Sequence, residues 1–360
     1  MRNRWRGSHR LPVVALSLAM VAGPVMANEI ETPNINEQPL QLKARGSFFV
    51  GGEGIEQTFV ELGSQRAADR VTIGQMYVEY MEPVGATKAP IVLIHGAGQS
   101  GAGFDTTPDG RMGWFEYFVR RSHPTYVVDQ VGRGRSGFDQ SIFNRVGAGQ
   151  ASPDKQPKIT RMGDRIASWI NFRIGPDATK PYPDTQYPIE AVSALSRQGV
   201  PDLIASLPSP NPNYKALAAL AKKLNGAILL GHSQAGDYPL EAALLDPKAV
   251  RAMVLVEPGR CNAEIYTADQ IATLATIPLL VVYGDHLDTP TGNKGSDWPE
   301  RFQECKRLIA RLKKAGGQAE MLHPPELGIH GNTHLMMQDR NNLQIADLII
   351  DWMETRAAGA

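Results

Sequence analysis

Apolar positions follow two different patterns along this chain. Near the N-terminus, apolar and polar residues alternate at 46–50 and 71–80, which predicts two half-exposed antiparallel strands. Further along, short continuous apolar runs are separated by stretches with helical spacing. Such runs are typical of parallel strands buried on both faces, and they occur at 91–94, 125–128, 228–230, 253–256 and 279–283, with a last candidate at 320–322.

The stretches between these runs predict helices at 112–121, 214–224, 238–245, 301–315 and 342–355. Strands that alternate with helices in this way predict a doubly wound, mostly parallel α/β sheet. The segment 138–213 is too long to be a single crossover connection between two strands, so we expect it to form a lid inserted into the sheet domain. Within it, Trp169, Phe172, Tyr182 and Tyr187 either line an acyl or aromatic pocket or pack the insertion.

Residues 1–27 have the composition of a cleaved export signal. Four arginines precede an apolar stretch at 11–26, and Val25-Met26-Ala27 supplies the small residues that signal peptidase reads. Pro12, Gly23 and Pro24 interrupt a stretch already short of the roughly 20 apolar residues of a membrane span. We therefore expect residues 28–360 to form a periplasmic or secreted domain with no stable membrane anchor.

The charge of the chain limits its possible partners, and its cysteine content indicates a disulfide. Cleavage would remove four of the 37 basic residues and none of the 37 acidic ones, leaving a net charge of −4. No basic stripe is present, so we expect no nucleic-acid partner. In an oxidising compartment, the even pair Cys261 and Cys305 favours a disulfide over two buried free thiols.

The segment Gly231-His-Ser-Gln-Ala235 directly follows a buried run and resembles a nucleophile elbow. The elbow motif reads G-x-S-x-G, and here Ala235 takes the place of the second glycine. The sharp strand-to-helix turn requires small residues at both positions, a requirement that alanine still meets. The motif predicts Ser233 as a nucleophile, and the alternative is an ordinary turn between a strand and a helix.

A serine nucleophile needs a base and an acid from later loops. His334 directly precedes the terminal helical region and is the preferred base, which leaves His330 a structural role. The spacing of these two histidines also fits zinc, but glycine between them and the absence of a glutamate disfavour it, so we expect neither metal nor cofactor. Position alone leaves Glu257 and Asp288 as rival acids.

The loop His95-Gly-Ala-Gly98 closes the first buried run. The backbone N–H groups of Ala97 and Gln234 are the expected donors of an oxyanion hole. The glycines and Ser136 of the 129–136 loop are expected to shape that loop rather than react.

Together these residues resemble the α/β-hydrolase superfamily, and within it the secreted bacterial esterase 713 type. The resemblance extends from about residue 46 to residue 352 and is densest at 46–52, 107–114, 232–234, 256–259 and 330–342. It implies Ser233 as nucleophile, His334 as base and Glu257 as acid. It also implies a Cys261–Cys305 bridge and a possible homodimer. Members of that type carry two adjacent cysteines in the oxyanion loop, where this chain has Ala97-Gly98, so no vicinal disulfide can stiffen the loop.

We therefore expect a secreted carboxylic-ester hydrolase that acts on small-molecule esters through an acyl-enzyme. Amidase, thioesterase or peptidase activity would use the same acyl chemistry and stays open. A non-catalytic binding protein on this fold is a remote alternative. An NAD(P)-dependent oxidoreductase is another, since 96–101 and 132–137 both fit G-x-G-x-x-G; the first acidic strand end, Asp129, lies too far along the chain for ribose binding.

Overall fold

The computed structural model describes residues 39–63, 67–159, 166–203, 207–292 and 297–357. The expected export signal at 1–27 lies outside these residues. The described chain forms one eight-stranded sheet in the order β1-β2-β4-β3-β5-β6-β7-β8. The strands are β1 Leu42–Gln57, β2 Asp69–Pro83, β3 Ile91–Ile94, β4 Thr125–Asp129, β5 Ala227–His232, β6 Val250–Val256, β7 Leu279–Val282 and β8 Ala319–Leu322.

Strands β3 to β8 run parallel to one another, while β1 and β2 form an antiparallel hairpin. The hairpin joins the sheet through an antiparallel pairing of β2 with β4. Every predicted strand is present, and the expected doubly wound, mostly parallel sheet is confirmed. The structure extends both N-terminal strands beyond the alternating segments, because backbone pairing continues past the residues that show alternation.

Helices cover both faces of the sheet. They are α1 Trp114–Arg120, α2 Ser141–Gly147, α3 Ile166–Asn171, α4 Val192–Arg197, α5 Pro212–Lys223, α6 Tyr238–Leu245, α7 Ala268–Leu274, α8 Trp298–Lys314 and α9 Asn342–Arg356. Helices α1 and α9 pack on one face, and α5 to α8 pack on the other. None of the described helices has the length and apolar character needed to cross a bilayer.

Alternate side chains of each central strand enter the two separate cores. In β3, for example, Val92 and Ile94 face the α5–α8 layer, while Ile91 and Leu93 face α1 and α9. All four residues are fully buried. This two-sided burial explains why the strand appears in the sequence as a continuous apolar run, and it leaves the carboxyl ends of the parallel strands as the edge where polar side chains meet.

The chain between β4 and α5 contacts the loops at that edge. The backbone N–H of Val200 donates to the carbonyl of Gly98 at 2.8 Å, and that of Gln186 donates to the carbonyl of Gly331 at 2.8 Å. These bonds join residues 138–213 to the loops that follow β3 and β8. The expected lid therefore lies against the site edge, and whether it opens stays a prediction.

Cys261 and Cys305 form a disulfide that links the loop after β6 to α8. Beside it, the buried Tyr283 hydroxyl donates to the carbonyl of Pro258 at 2.6 Å. Both contacts hold the chain that leaves β6, so they also restrain Glu257 at the end of that strand.

We expect thiol titration of the unfolded, unreduced mature protein to find no free thiol. The bridge closes a loop of 44 residues. Chain entropy then predicts that replacing both cysteines with serine lowers the free energy of unfolding by about 4 kcal/mol at most. Guanidinium unfolding of the two proteins measures this difference. Two titrating thiols, or an unchanged unfolding midpoint, would contradict the expectation.

Candidate active site

Ser233 occupies a sharp turn between β5 and α6. Its φ of +56° lies in the left-handed region, which costs a non-glycine residue on the order of 1–3 kcal/mol. Crowding around the turn explains the small residues: a Cβ on Gly231 would lie 2.1 Å from the carbonyl oxygen of Ala235. A short 3-10 turn, Ser233–Asp237, precedes α6, so the helix begins later than the elbow motif suggests.

A chain of hydrogen bonds runs from Ser233 through His334 to Glu257. Ser233 Oγ lies 2.8 Å from His334 Nε2, and His334 Nδ1 lies 3.0 Å from Glu257 Oε2. Because an ionised carboxylate can only accept, Nδ1–H donates to Glu257, and Nε2 is left to accept the serine proton. The three side chains come from the ends of β5 and β6 and from the loop that follows β8.

His334 is fixed from several directions. Its backbone N–H donates to the carbonyl of Phe172 at 2.9 Å, and its carbonyl lies 2.9 Å from His232 Nε2. Its ring stacks on Phe172, with centroids 5.3 Å apart, and packs against Trp298 at 4.5 Å. This packing limits rotation of the imidazole and keeps Nε2 directed at the serine.

The loop before His334 is held by Asp339, which is fully buried. One carboxylate oxygen accepts from the backbone N–H of Thr333 at 2.7 Å and from Asn332 Nδ2 at 3.0 Å, and the other accepts from Thr333 Oγ1 at 2.8 Å. Asp339 therefore shapes the turn that positions His334, a role that no local sequence pattern predicted.

Glu257 is fully buried, and three donors surround its carboxylate. Besides His334, the guanidinium of Arg173 donates to Oε1 at 2.6 Å, and the backbone N–H of Gly284 donates to the same oxygen at 2.5 Å. Arg173 is itself fully buried and also donates to the carbonyl of Asp285 at 2.7 Å. Its guanidinium lies 5.0 Å from the centre of the Trp298 ring.

These neighbours set the charge states of Glu257 and His334. Burial alone would raise the pKa of Glu257, but Arg173 and His334 outweigh it and bring that pKa to about 2. For His334, burial lowers the pKa, Glu257 opposes the shift, and the Arg173 cation adds to it, with a net lowering. At neutral pH the acid is therefore ionised and the imidazole is neutral, which is the state a general base needs.

The loop after β3 lies directly beside Ser233. A Cβ on Gly96 would lie 2.7 Å from the Cβ of Ser233, so only glycine permits this approach. Ala97 follows Gly96, and Gln234 follows Ser233 along the chain. Both expected oxyanion donors thus belong to residues adjacent to this contact.

The other predicted candidates lie elsewhere. Asp288 is exposed, whereas Asp285 accepts from the backbone N–H of Gly331 at 3.1 Å and pairs with the exposed His330 at 3.1 Å. Asp184, Asp285 and His286 place ligand-type atoms within 4.8 Å of one another. Their polar atoms already bond to one another or to the loop around His330.

The four aromatic side chains of the insertion pack against protein. Beyond Phe172, the Tyr182 ring stacks on His286 at 3.7 Å and Tyr187 is fully buried. Trp169 Nε1 donates to the carbonyl of Lys180 at 3.3 Å. These contacts are packing interactions, and whether any of the four rings also lines a substrate pocket stays a prediction.

The chain is similar to two proteins with a described activity. A solved structure described as that of a novel bacterial esterase is 44% identical, covers 91% of this chain and 100% of its own, and superposes with a TM-score of 0.83. A protein of Fungal sp. (strain ATCC 74256) described as a probable secreted lipase, phiG, is 27% identical over 319 residues, which cover 78% of this chain and 85% of the fungal protein. No family model matches the chain.

The chain has the fold of an α/β-hydrolase, as the sequence predicted. The chain belongs to the esterases of this superfamily, together with the solved bacterial enzyme. It is a hydrolase of the carboxylesterase type.

Arg173 gives the site a testable pH signature. Replacing it with methionine removes a cation that lowers the pKa of His334, so the acid limb of kcat/KM should move to higher pH. Arg173→Lys keeps the charge and should leave the limb near its wild-type position. The measurement is the pH dependence of p-nitrophenyl acetate hydrolysis between about pH 4 and 9.

Urea unfolding accompanies this experiment, because breaking a buried ion pair costs about 3–5 kcal/mol. Assays therefore use a temperature at which each variant is folded. A limb that stays in place, or moves to lower pH, in a folded Arg173→Met protein would contradict the electrostatic role.

Proposed function

We propose that the chain hydrolyses small carboxylic esters through an acyl-enzyme formed on Ser233. The observation that carries this proposal is the 2.8 Å contact between Ser233 Oγ and the neutral, buried His334 Nε2. A serine hydroxyl at neutral pH reacts poorly unless such a base accepts its proton. The ionised Glu257 behind His334 favours the imidazolium that forms as the proton arrives.

In the acylation step, Ser233 Oγ bonds to the ester carbonyl carbon while its proton passes to His334 Nε2. The carbonyl oxygen becomes an oxyanion, which the backbone N–H groups of Ala97 and Gln234 stabilise. The intermediate then collapses, the bond to the alcohol oxygen breaks, and His334 returns the proton to that oxygen. The alcohol leaves, and the acyl group stays on Ser233.

Deacylation repeats these events with water. His334 accepts a proton from the water as its oxygen attacks the acyl carbon, and the same two amides hold the second oxyanion. Collapse breaks the bond to Ser233 Oγ, which recovers its proton from His334. The carboxylic acid leaves, and the site returns to its starting state.

Thioesters, amides and peptides would pass through the same intermediates, so leaving-group preference is a matter for substrate assays. Because the chain belongs to the esterases, the binding-protein and oxidoreductase alternatives are disfavoured. We further propose that the enzyme acts after export. The leader composition, the Cys261–Cys305 bridge and the likeness to a protein described as a secreted lipase support this. The homodimer suggested by family resemblance stays a prediction.

Replacing Ser233 with alanine should lower kcat for p-nitrophenyl esters by at least about 10⁴-fold, because no oxygen then remains to form the acyl-enzyme. Ser196→Ala makes the same chemical change in α4, where the serine hydroxyl donates to the carbonyl of Val192, and should retain activity. Thermal unfolding checks that both variants are folded. Wild-type turnover by Ser233→Ala would refute the nucleophile assignment.

The rival acids differ in what their loss should do. Glu257→Gln preserves shape but removes the charge that stabilises the His334 cation, so kcat should fall by about 10²- to 10⁴-fold. Asp288→Asn changes an exposed side chain and should stay within about twofold of wild type. Initial rates at saturating ester decide between them. The opposite ranking would transfer the acid role to Asp288.

A further inference from the structure

A buried ion pair lies beside the oxyanion loop. Arg133 Nη2 and Asp202 Oδ1 are 2.6 Å apart, and both side chains are only 1% exposed. Arg133 belongs to the loop after β4, whereas Asp202 belongs to the insertion between β4 and α5. Replacing a buried pair by apolar residues is often neutral or stabilising, so stability alone is a weak account of this one.

The pair contacts the backbone on both sides of Ala97. Arg133 Nη1 donates to the carbonyl of Gly96 at 3.0 Å. Asp202 Oδ2 accepts from the backbone N–H of Gly98 at 3.1 Å, and the carbonyl of Gly98 accepts from Val200 at 2.8 Å. These bonds restrain the peptide groups that flank the first oxyanion donor.

The same two side chains hold the residue that supplies the second donor. The Gln234 side chain accepts from Arg133 Nη2 at 2.5 Å through its Oε1. Its Nε2 donates to Asp202 Oδ2 at 3.3 Å. Gln234 is therefore tied to the pair at both ends of its amide.

The loop contains two residues without a side chain, so its backbone is conformationally permissive. Gly96 and Gly98 flank Ala97, and Gly98 has a φ of +63°. An oxyanion donor is effective only when it lies about 2.7–3.1 Å from the developing charge. A displacement of either donor by a fraction of an ångström would therefore weaken transition-state stabilisation while leaving binding of the ground-state ester little affected.

We propose that Arg133 and Asp202 are positioning residues that hold the Ala97 and Gln234 amides at a fixed separation, so that the oxyanion hole is complete only while the insertion is docked. This inference rests on the proposed function. It assigns to the insertion a part in transition-state stabilisation, carried by Asp202.

Asp202→Asn is the most direct variant. Asparagine keeps the size of aspartate but turns an N–H₂ group towards donors: the Arg133 guanidinium, or the Gly98 and Gln234 N–H groups. Glu61→Gln is the matched control. Glu61 is a buried carboxylate in the connection between β1 and β2. It pairs at 3.0 Å with Arg145 of α2, so it also joins the insertion to the sheet.

We expect Asp202→Asn to lower kcat for p-nitrophenyl acetate by about 10- to 100-fold with KM within about twofold, since a lost oxyanion donor costs about 10²- to 10³-fold. The Ki of a trifluoromethyl ketone, which forms a tetrahedral oxyanion on the serine, should rise by the same factor as kcat/KM falls. Glu61→Gln should change neither quantity by more than about twofold.

A folded Asp202→Asn protein with wild-type kcat and Ki, or with a raised KM alone, would overturn the proposal. If Asp202→Asn does not fold, Gln234→Met decides. It retains the backbone N–H of residue 234 and loses both side-chain bonds, so kcat should fall at least about fivefold at constant KM. An unchanged kcat overturns the inference.

These results separate the inference from the proposed function. An active Ser233→Ala protein would refute the nucleophile whatever Asp202→Asn does. An inactive Ser233→Ala protein together with a fully active Asp202→Asn protein would refute only the positioning role.

Discussion

The site depends on one buried negative charge. The Glu257 carboxylate is fully buried, and removing a charge from water costs several kcal/mol unless it is paired and hydrogen-bonded. Here His334, Arg173 and the Gly284 N–H all donate to it. The Glu257 carboxyl group thus stays ionised, and the His334 imidazole that it orients stays neutral. This arrangement leaves a neutral imidazole within hydrogen-bond distance of Ser233, so the proposed chemistry depends on how one carboxylate is kept ionised inside the protein.

Several contacts to the candidate site residues come from the insertion between β4 and α5. Arg173 supplies the cation for Glu257, and Phe172 both stacks on the His334 ring and accepts its backbone N–H. Asp202 reaches the oxyanion loop from the same segment. The sheet edge supplies the proposed reacting groups, and the insertion contributes to the charge of Glu257 and the orientation of His334. A substitution in this segment can therefore alter catalysis without touching an ester.

The sequence predicted features that rest on local patterns. Continuous apolar runs located the parallel strands, and small residues around Ser233 located the elbow, because both reflect sterics within a few residues. Helix α7 was missed although Thr267 and Gln270 form a capping box that could have revealed it. The acid needed family resemblance, since Glu257 and Asp288 both follow strands, and only the fold brings one of them to His334. Arg173 and Asp202 gave no local signal, because their partners lie 84 and 69 residues away along the chain.

In the proposed mechanism, Ser233 Oγ forms a covalent bond to the acyl carbon of the ester during turnover. The most direct measurement is peptide mass spectrometry of the enzyme after inactivation by diethyl p-nitrophenyl phosphate, with release of p-nitrophenol followed in parallel. We expect one diethylphosphoryl group per chain, located on Ser233, and one equivalent of p-nitrophenol released. A label on any other residue, or complete inactivation with Ser233 unmodified, would contradict it.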